Sequence, residues 1–471
     1  MIWSAFGRFG TMAISFVSNM VLARLLMPSE FGTIAMLNIF LALSDILIVG
    51  GFSSALIQKK DAKHIDYTSV FYWNIVVSIF LYFVLFFSAP AISRFYNIPE
   101  LTVLLRVQSI TIIITALSAV QTNILTKELN FKVLTKRNIV ASLCGTTVAI
   151  IMAFLGFGVW SLVASSLTSG TASVLLLWGM SKWRPTLEFS WESIKSLFAF
   201  GGLMVLSSIV TKIYSELQGL IIGKYYSASD LGYYHQAKNL ERIPIDSLSN
   251  IVKQVTFPVY SQLQGNIVLL RSAVRKNVVA LTYLTIALLM LLIVIADPLI
   301  RLLYGDRWVT SVSYFQILCF AGFVTPVNAS NTNVIKALGK SKLYFYIHLF
   351  YKVVGIGALF IGVQFGVKGI LWSVVATSYL TFFVSTAVNR RLIEYGTMKQ
   401  LTDVGGTFLC ALASGLFTYY IGTLLPFNEY IIMFIQILLY STLYFSVSLC
   451  FKLEGFLIYK SIIKQRYNKK I

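Results

Sequence analysis

Apolar runs of membrane-spanning length recur along the whole chain, separated by short segments that contain Pro, Gly and charged residues. A helix needs about 20 mostly apolar residues to cross the hydrocarbon core of a bilayer. Read in windows of about 19 residues, the pattern predicts an all-α, polytopic membrane protein of about 14 transmembrane helices. The predicted spans are approximately 3–26, 33–56, 67–90, 101–124, 139–155, 159–180, 196–222, 233–258, 277–300, 312–335, 343–363, 369–389, 401–424 and 430–451.

The composition agrees with this pattern and excludes a soluble protein. Hydrophobic residues make up 57% of the 471 residues and charged residues only 12%, whereas soluble domains contain about 25% charged residues. The cysteines lie in apolar runs without CxxC spacing, so we expect packing residues, and neither a metal site nor a disulfide framework. These cysteines are Cys144, Cys319, Cys410 and Cys450.

The basic residues are distributed unequally between alternate connections. The formal net charge is +20, and one side of the predicted membrane holds 25 Lys and Arg residues against 5 on the other. Because basic loops remain in the cytoplasm, both termini are predicted to be cytoplasmic, with residues 1–26 retained as a span. This alternation requires the polar eighth span, 233–258. Basic residues spread over seven short loops form no single patch, which argues against nucleic-acid binding.

The two halves of the chain contain similar residues in the same order. Ser29-Glu30-Phe31-Gly32 recurs as Ser229-Asp230-Leu231-Gly232, and Phe157-Gly158-Val159 recurs as Phe365-Gly366-Val367. This series predicts two parallel six-helix repeats around a central cavity, related by an axis along the membrane normal. The Ser-acid pairs are predicted helix N-caps. The predicted divisions are a lobe at 1–195, a lobe at 196–400, two additional helices at 401–451 and a basic cytoplasmic tail at 452–471.

Short motifs are spread over nearly the whole chain and together are typical of one family. They include Arg8-Phe9-Gly10, Leu22-Ala23-Arg24-Leu25-Leu26, Gly50-Gly51-Phe52-Ser53-Ser54, Gly156-Phe157-Gly158-Val159-Trp160, Lys182-Trp183-Arg184-Pro185, Asp230-Leu231-Gly232-Tyr233-Tyr234 and Lys336-Ala337-Leu338-Gly339. As a set they resemble the Wzx-type oligosaccharide flippases, in the polysaccharide-exporter branch of the multidrug, oligosaccharidyl-lipid and polysaccharide exporter superfamily.

The resemblance implies a particular cargo, location and set of partners. The cargo would be an undecaprenyl-diphosphate-linked oligosaccharide, moved by alternating access from the cytoplasmic to the outer leaflet of a bacterial plasma membrane. Membrane lipids, a polysaccharide polymerase and chain-length machinery are the implied partners. No cofactor, no metal and no enzymatic activity are expected.

Eight basic residues fall within the predicted spans. Because an intramembrane charge costs at least about 2.5 to 3.5 kcal/mol, each should be paired, reach the interface or face a water-filled cavity. Arg24 and Arg106 lie near span ends and are predicted to snorkel. The other six are candidate ligands for the diphosphate and sugar of the cargo: Arg8, Lys212, Lys238, Arg242, Lys253 and Lys352.

The eighth span contains the densest group of these charges. Lys238, Arg242, Asp246, Ser249 and Lys253 fall within an arc of roughly 80° of a helix, which predicts a polar stripe lining the cavity. Lys and Arg donate charge-assisted hydrogen bonds of the kind that a diphosphate accepts. Pro244 within this span is predicted to kink the helix.

Two roles are compatible with the acidic residues inside the predicted spans. These residues either bind a coupling proton or Na⁺ or neutralise neighbouring basic residues. The four candidates are Asp45, Glu216, Glu241 and Asp246. Since Glu216 lies one turn after Lys212, an ion pair between them is at least as well supported as substrate contact by Lys212.

Two other functions share some of these features. A drug-cation exporter of the same fold is disfavoured because a cavity with more Lys and Arg than acid repels cations. A membrane glycosyltransferase or O-antigen polymerase would use the same lipid, but those enzymes usually carry a large external loop, whereas the outer connections here are short. No GxxxxGK[ST] motif is present, so ATP hydrolysis is not expected.

Overall fold

The computed structural model describes residues 2–59 and 61–468. The description leaves out the side chains of residues 2, 4–6, 8, 54, 199–200, 203–204, 246–255 and 462–468. Within the described ranges all regular structure is helical, which confirms the predicted all-α class. The chain divides into two compact units, Met1–His235 and Gln236–Ile471. The predicted division into lobes, additional helices and tail stays a prediction.

The first unit holds nine complete helices within the described residues. They are α1 (Ile2–Leu25), α2 (Pro28–Asp45), α3 (Gly51–Gln58), α4 (His64–Tyr96), α5 (Leu101–Gln108), α6 (Ile110–Lys127), α7 (Phe131–Phe154), α8 (Trp160–Met180) and α9 (Trp191–Tyr225). A π-helical turn, Ile46–Gly50, joins α2 to α3, so these pieces form one apolar segment, Pro28–Gln58.

Helix α10 (Ala228–Gln262) begins in the first unit and continues into the second. The second unit then contains α11 (Ile267–Val294), α12 (Ala296–Tyr304), α13 (Thr310–Gly322), α14 (Thr325–Ala337), α15 (Ser341–Val363), α16 (Gly366–Ile393), α17 (Thr397–Leu424), α18 (Glu429–Cys450) and α19 (Glu454–Asn468). A short 3₁₀ helix, Asp306–Trp308, separates α12 from α13.

Among the described residues, 12 helical segments are long and apolar enough to cross a membrane. Helices α1 and α10 are not among them, although each occupies a predicted span. The apolar part of α1 is the shorter segment Phe9–Leu25, and α10 carries charged and polar residues along its length. The predicted multi-pass helical architecture is therefore confirmed, and the count of 14 stays a prediction.

Several helices extend beyond the apolar stretch that predicts them. Helix α7 begins at Phe131 and α11 at Ile267, several residues before the predicted membrane spans that start at about 139 and 277. The side chain of Asn266 caps α11 by accepting hydrogen bonds from the N–H groups of Val268 and Leu269, each at 3.1 Å. Hydropathy detects the lipid-immersed part of a helix, whereas a cap lets it continue into water.

Two glycines bring α3 and α9 into backbone contact beside the π-helical turn. A Cβ atom at Gly201 would lie 2.7 Å from the carbonyl oxygen of Gly51, and one at Gly51 would lie 2.9 Å from the carbonyl oxygen of Gly201. Small residues allow such close crossings between membrane helices. The crossing places the first half of α9 beside the π-helical segment.

The cysteines are free thiols, and only two of them are buried. Cys319 and Cys410 are enclosed by the protein, as the packing prediction requires. Cys144 and Cys450 are exposed, so the prediction is wrong for these two. Burial in the hydrophobic part of a bilayer does not require burial inside the protein, because lipid also surrounds apolar side chains.

Candidate functional site

The repeated acidic residues cap the helices at whose start they lie. A carboxylate oxygen of Glu30 accepts a hydrogen bond from the N–H of Met27 at 2.6 Å, and Asp230 accepts one from the N–H of Ser227 at 3.2 Å. The hydroxyl of Ser227 accepts from the N–H of Asp230 at 3.0 Å, which completes a capping box. Capping by the acids is confirmed, but Ser227 rather than Ser229 supplies the hydroxyl in α10, and Met27 rather than Ser29 is the N-cap of α2.

The two repeated Gly residues bring these helix starts together. A Cβ atom at Gly32 would overlap the carbonyl oxygen of Ala228, and one at Gly232 would overlap the carbonyl oxygen of Pro28. Gly158, which has a φ of +53°, also has no room for a side chain, because a Cβ atom there would overlap the carboxylate of Glu30. Three motifs that are far apart in the sequence therefore meet within the first unit.

Three charged residues within the spans of the first unit interact with one another: Lys212, Glu216 and Asp45. The Nζ atom of Lys212 lies 2.8 Å from a carboxylate oxygen of Glu216, one turn further along α9, which confirms the predicted ion pair. Lys212 also interacts electrostatically with Asp45, the last residue of α2. One ammonium group thus faces two carboxylates, at the point where the π-helical turn begins. Such turns are frequent at functional sites.

Helix α10 places two of the predicted cavity residues one turn apart. Lys238 is partly buried and Arg242 is exposed, and both make polar or electrostatic contacts. The carboxylate of Glu241 approaches a different helix, α13, where it would lie 3.5 Å from a Cβ atom at Gly322. The helix is continuous through Pro244 and Pro258, and the predicted kink stays a prediction.

Part of the predicted stripe lies outside the residues whose side chains the structure describes. The side chains of Asp246, Ser249 and Lys253, and that of Arg8 in α1, lie outside the described residues. Their assignment to the cavity therefore rests on sequence pattern alone. Of the three basic residues in the stripe, Lys238 and Arg242 are among those whose side chains are described.

Lys352, the candidate on α15, belongs to a cluster that the sequence prediction missed. Lys352 and Lys336 both interact electrostatically with His348. The Tyr344 ring lies 4.1 Å from the His348 ring, and the Lys336 ammonium lies 4.4 Å from the Tyr344 ring. Among described residues the buried Nε2 atom of His348 has no hydrogen-bond partner. The spacing of 344, 348 and 352 is the helical signal that could have revealed this cluster.

Arg106 is held by the protein near the end of α5. Its Nε atom donates a hydrogen bond to the carbonyl oxygen of Phe86 at 3.3 Å, and its guanidinium lies 4.3 Å from the centre of the Phe86 ring. These contacts satisfy part of its hydrogen-bonding capacity without water. Arg106 is therefore a helix-packing contact rather than a candidate cargo ligand.

Comparison with known proteins identifies relatives over most of the chain. A family model described as polysaccharide biosynthesis protein matches residues 21–313. The teichuronic acid biosynthesis protein TuaB of Bacillus subtilis is 25% identical over 383 residues, which cover 80% of this chain and 78% of that protein. The succinoglycan biosynthesis transport protein ExoT of Rhizobium meliloti is 26% identical over 373 residues, which cover 79% and 75%.

The fold is also that of a solved structure. The lipid II flippase MurJ in an inward closed conformation matches with a TM-score of 0.77, covering 98% of this chain and 100% of that chain. The two sequences are 16% identical. At this identity the match establishes the common fold and leaves the cargo to be argued from the residues.

Proposed function

The chain belongs to the polysaccharide biosynthesis protein family and is a flippase of the Wzx type, and from this premise we propose that its cargo is an undecaprenyl-diphosphate-linked oligosaccharide. The protein would carry this lipid from the cytoplasmic to the outer leaflet of a bacterial plasma membrane, with both termini in the cytoplasm. Its role is transport rather than catalysis.

The observation that carries the proposed cargo is the pair Lys238 and Arg242 on α10. A charge within a membrane span is costly unless it is compensated or hydrated. Arg242 is exposed and lies one helical turn from the partly buried Lys238, so two positive charges share one part of α10. A diphosphate supplies compensating negative charge, and the planar guanidinium of Arg242 can bind two of its oxygens.

The contact between the starts of α2 and α10 supports an alternating-access mechanism. The connections that precede these helices belong to the side with few basic residues, which is the outer side by the predicted orientation. The close approach at Gly32 and Gly232 would then be an outer gate in its closed state. Opening would require only that two uncharged backbone surfaces separate, while the ion pairs of the lobes stay intact.

We assign the Lys212 cluster to charge balance in this mechanism. Lys212 pairs with Glu216 and interacts with Asp45, so its charge is compensated within the protein. This arrangement favours neutralisation over direct contact with the cargo. The cluster contains two carboxylates but only one ammonium group. Asp45 and Glu216 are therefore the candidates for binding a coupling ion in the first unit.

The experiment that tests the proposed cargo is substitution of Arg242 in cells that depend on this protein for a surface polysaccharide. Arg242→Gln should reduce surface polysaccharide by one to two decades, because loss of a charge-assisted hydrogen bond costs about 1.5 to 3 kcal/mol. Arg242→Lys should retain part of the activity because it keeps the charge. Extracted lipids should show accumulation of the undecaprenyl-diphosphate-linked oligosaccharide.

Arg307→Gln is the matched control, since Arg307 is exposed in the segment between α12 and α13. It should leave export and membrane protein level unchanged. Normal export by a stable Arg242→Gln variant would refute the cationic-cavity mechanism. A change in drug resistance without a change in polysaccharide would support the cation-exporter alternative. Accumulation of the lipid-linked oligosaccharide in the outer leaflet, rather than the cytoplasmic leaflet, would support the enzyme alternative.

A further inference from the structure

The connection between α16 and α17 forms a cavity of about 940 Å³ that the transport mechanism does not use. Pockets of about 300 to 1,000 Å³ accommodate small ligands in proteins. Its lining includes Arg390 and Arg391 from the last turn of α16 and Lys399 from the first turn of α17. We propose that this cavity binds the phosphate-bearing headgroup of an anionic membrane lipid.

The electrostatic balance of the cavity favours an anion. The acidic residue in its lining is Glu394, and the carboxylate of Glu394 is paired with Arg271 on α11. The structure gives Arg390 and Arg391 no acidic partner among the described residues. Three basic side chains from two helices therefore surround a space in which one carboxylate is already neutralised.

Helix α17 adds backbone donors to these side chains. Its N-cap, Gly396, has no side chain that could cap the first turn. Thr397, Met398 and Lys399 of that turn line the cavity. The free N–H groups and positive dipole end of a helix start favour a bound anion. A phosphate in the cavity could accept hydrogen bonds from these N–H groups and from the guanidinium groups.

Gly396 also fixes the position of Arg390. A Cβ atom at Gly396 would lie 2.7, 2.9 and 3.1 Å from the Cβ, Cγ and Cδ atoms of Arg390. The stem of Arg390 thus packs directly on the backbone of the connection, which leaves its guanidinium at the cavity. A larger residue at 396 would displace this stem.

A buried polar network holds the walls of the cavity in place. Asn389 donates to the side-chain oxygen of Asn331 at 2.9 Å, and Gln400 donates to the same oxygen at 3.0 Å. These three side chains are fully buried. The end of α16 and the start of α17 are thereby tied to α14, so binding a ligand requires little reorganisation.

Tyr395 also holds the connection between α16 and α17 in place. Its hydroxyl donates to a carboxylate oxygen of Asp403 at 2.8 Å. Burial, together with this bond, raises the pKa of Tyr395 above its ordinary value, so the hydroxyl remains a donor at physiological pH. The connection that carries Glu394 and Gly396 is thus anchored on both sides of the cavity.

The position of the cavity indicates that the phosphate belongs to a lipid. It lies at the ends of two membrane-length helices, Gly366–Ile393 and Thr397–Leu424, on the basic side of the chain. Basic pockets between membrane helices on the cytoplasmic side bind anionic lipid headgroups. The exposed Met398 provides an apolar contact beside the charges. Phospholipids and the polyprenyl diphosphate carrier share this headgroup chemistry.

The test compares lipid binding by purified full-length protein and two triple variants. Arg390→Gln/Arg391→Gln/Lys399→Gln removes the cavity charges. Lys182→Gln/Lys340→Gln/Lys342→Gln is the matched control, because it removes three exposed charges from connections on the same side. Native mass spectrometry measures retention of phosphatidylglycerol, cardiolipin, undecaprenyl diphosphate and phosphatidylethanolamine as lipid is titrated.

We expect the cavity variant to bind an anionic lipid on the order of 100-fold more weakly, since each basic residue at an anionic headgroup changes affinity about fivefold. The control should stay within a few-fold of the parent protein, and phosphatidylethanolamine binding should not change. Selective loss of phosphatidylglycerol and cardiolipin identifies a phospholipid as the source of the phosphate. Selective loss of undecaprenyl diphosphate identifies the carrier.

A charge-retaining variant, Arg390→Lys/Arg391→Lys/Lys399→Arg, separates loss of the site from loss of the fold. It should recover binding to within about tenfold of the parent protein, because Lys keeps the charge without the guanidinium fork. Equal retention of every lipid by the cavity and control variants overturns the proposal. So does a cavity variant whose lost binding is not recovered by the charge-retaining variant.

Discussion

A Cβ atom at Gly32 would lie 3.0 Å from the backbone nitrogen of Gly232, and a Cβ atom at Gly232 would lie 3.3 Å from the backbone nitrogen of Gly32. The two residues occupy matching positions in the two similar sequence segments, and each is the fifth residue of its helix, α2 or α10. Their reciprocal contact means that each repeat supplies one half of the same helix crossing. Any side chain at either position would push the two helix starts apart.

Gly32→Ala should therefore weaken this crossing. The overlap involves backbone atoms, which cannot move aside as a flexible side chain can. We expect Ser229→Cys, in a background without native cysteines, to react at least several-fold faster with a membrane-impermeant thiol reagent when Gly32→Ala is present. Export of polysaccharide should fall at the same time.

Gly179→Ala is the control for this substitution. A Cβ atom at Gly179 meets nothing within 4 Å, and Ala is the better helix former by roughly 1 kcal/mol. Protein level and Ser229→Cys reactivity should be unchanged in the control. Equal reactivity in the two Gly→Ala variants would show that the crossing does not limit access to the start of α10.

Removing the ammonium group of Lys212 should destabilise the protein. Lys212→Gln leaves Glu216 and Asp45 without their basic neighbour in a span, where an uncompensated charge costs at least about 2.5 to 3.5 kcal/mol. The thermal unfolding temperature of the purified protein should fall measurably. Adding Glu216→Gln should restore part of the loss, because the double variant removes one of the two carboxylates that lost their basic neighbour.

The double variant decides between structural and cargo-binding roles of Lys212. If Lys212 balances charge, the stable double variant should also export polysaccharide. Restored stability without restored export would assign Lys212 to cargo binding instead. Lys195→Gln, at an exposed position earlier in α9, provides a control for loss of one positive charge.

Reporter fusions test whether α10 crosses the membrane. The charge pattern predicts that a fusion after Lys276 reports the cytoplasm, as should a fusion after Lys195. A fusion after Lys224, at the end of α9, should report the outer side. If the Lys276 fusion also reports the outer side, α10 does not span the bilayer and the predicted orientation of every later helix is inverted.

Arg275 should hold the C-terminal helix against the second unit. Its guanidinium donates to both carboxylate oxygens of Asp403 at 2.9 Å and to Glu454 at 2.6 Å. Because Glu454 is the first residue of α19, Arg275→Gln should increase the rate of tryptic cleavage at Lys460 several-fold. Loss of a hydrogen bond to a charged group costs about 1.5 to 3 kcal/mol.

Two companion variants define the origin of this effect. Arg275→Lys should give an intermediate rate, since a single ammonium group cannot reproduce the bidentate contact with Asp403. Lys276→Gln changes the neighbouring residue, which lies outside the network. Trypsin should cleave this variant at Lys460 at the same rate as the parent protein. Unchanged cleavage in Arg275→Gln would mean that apolar packing of α19, including the contact of Gly455 with Tyr283, is sufficient.

The amino-acid sequence by itself determined the features that depend on composition and on local spacing. Apolar runs identify membrane helices because the bilayer acts on each segment independently. The Lys212–Glu216 pair follows from a separation of four residues on one helix. The capping role of Glu30 and Asp230 follows from their distance to a helix start, although the capping hydroxyl of α10 belongs to Ser227 rather than to the repeated Ser229.

Contacts between helices were decided only by the tertiary structure. Asp45 interacts electrostatically with Lys212, which lies on another helix, and Gly232 meets Gly32 across about 200 residues of sequence. The cavity beside Arg390 exists because buried Asn and Gln side chains draw α14, α16 and α17 together. Lipid imposes hydrophobicity on all of these helices alike, so their rotations and crossing points depend on packing and hydrogen bonds between specific partners.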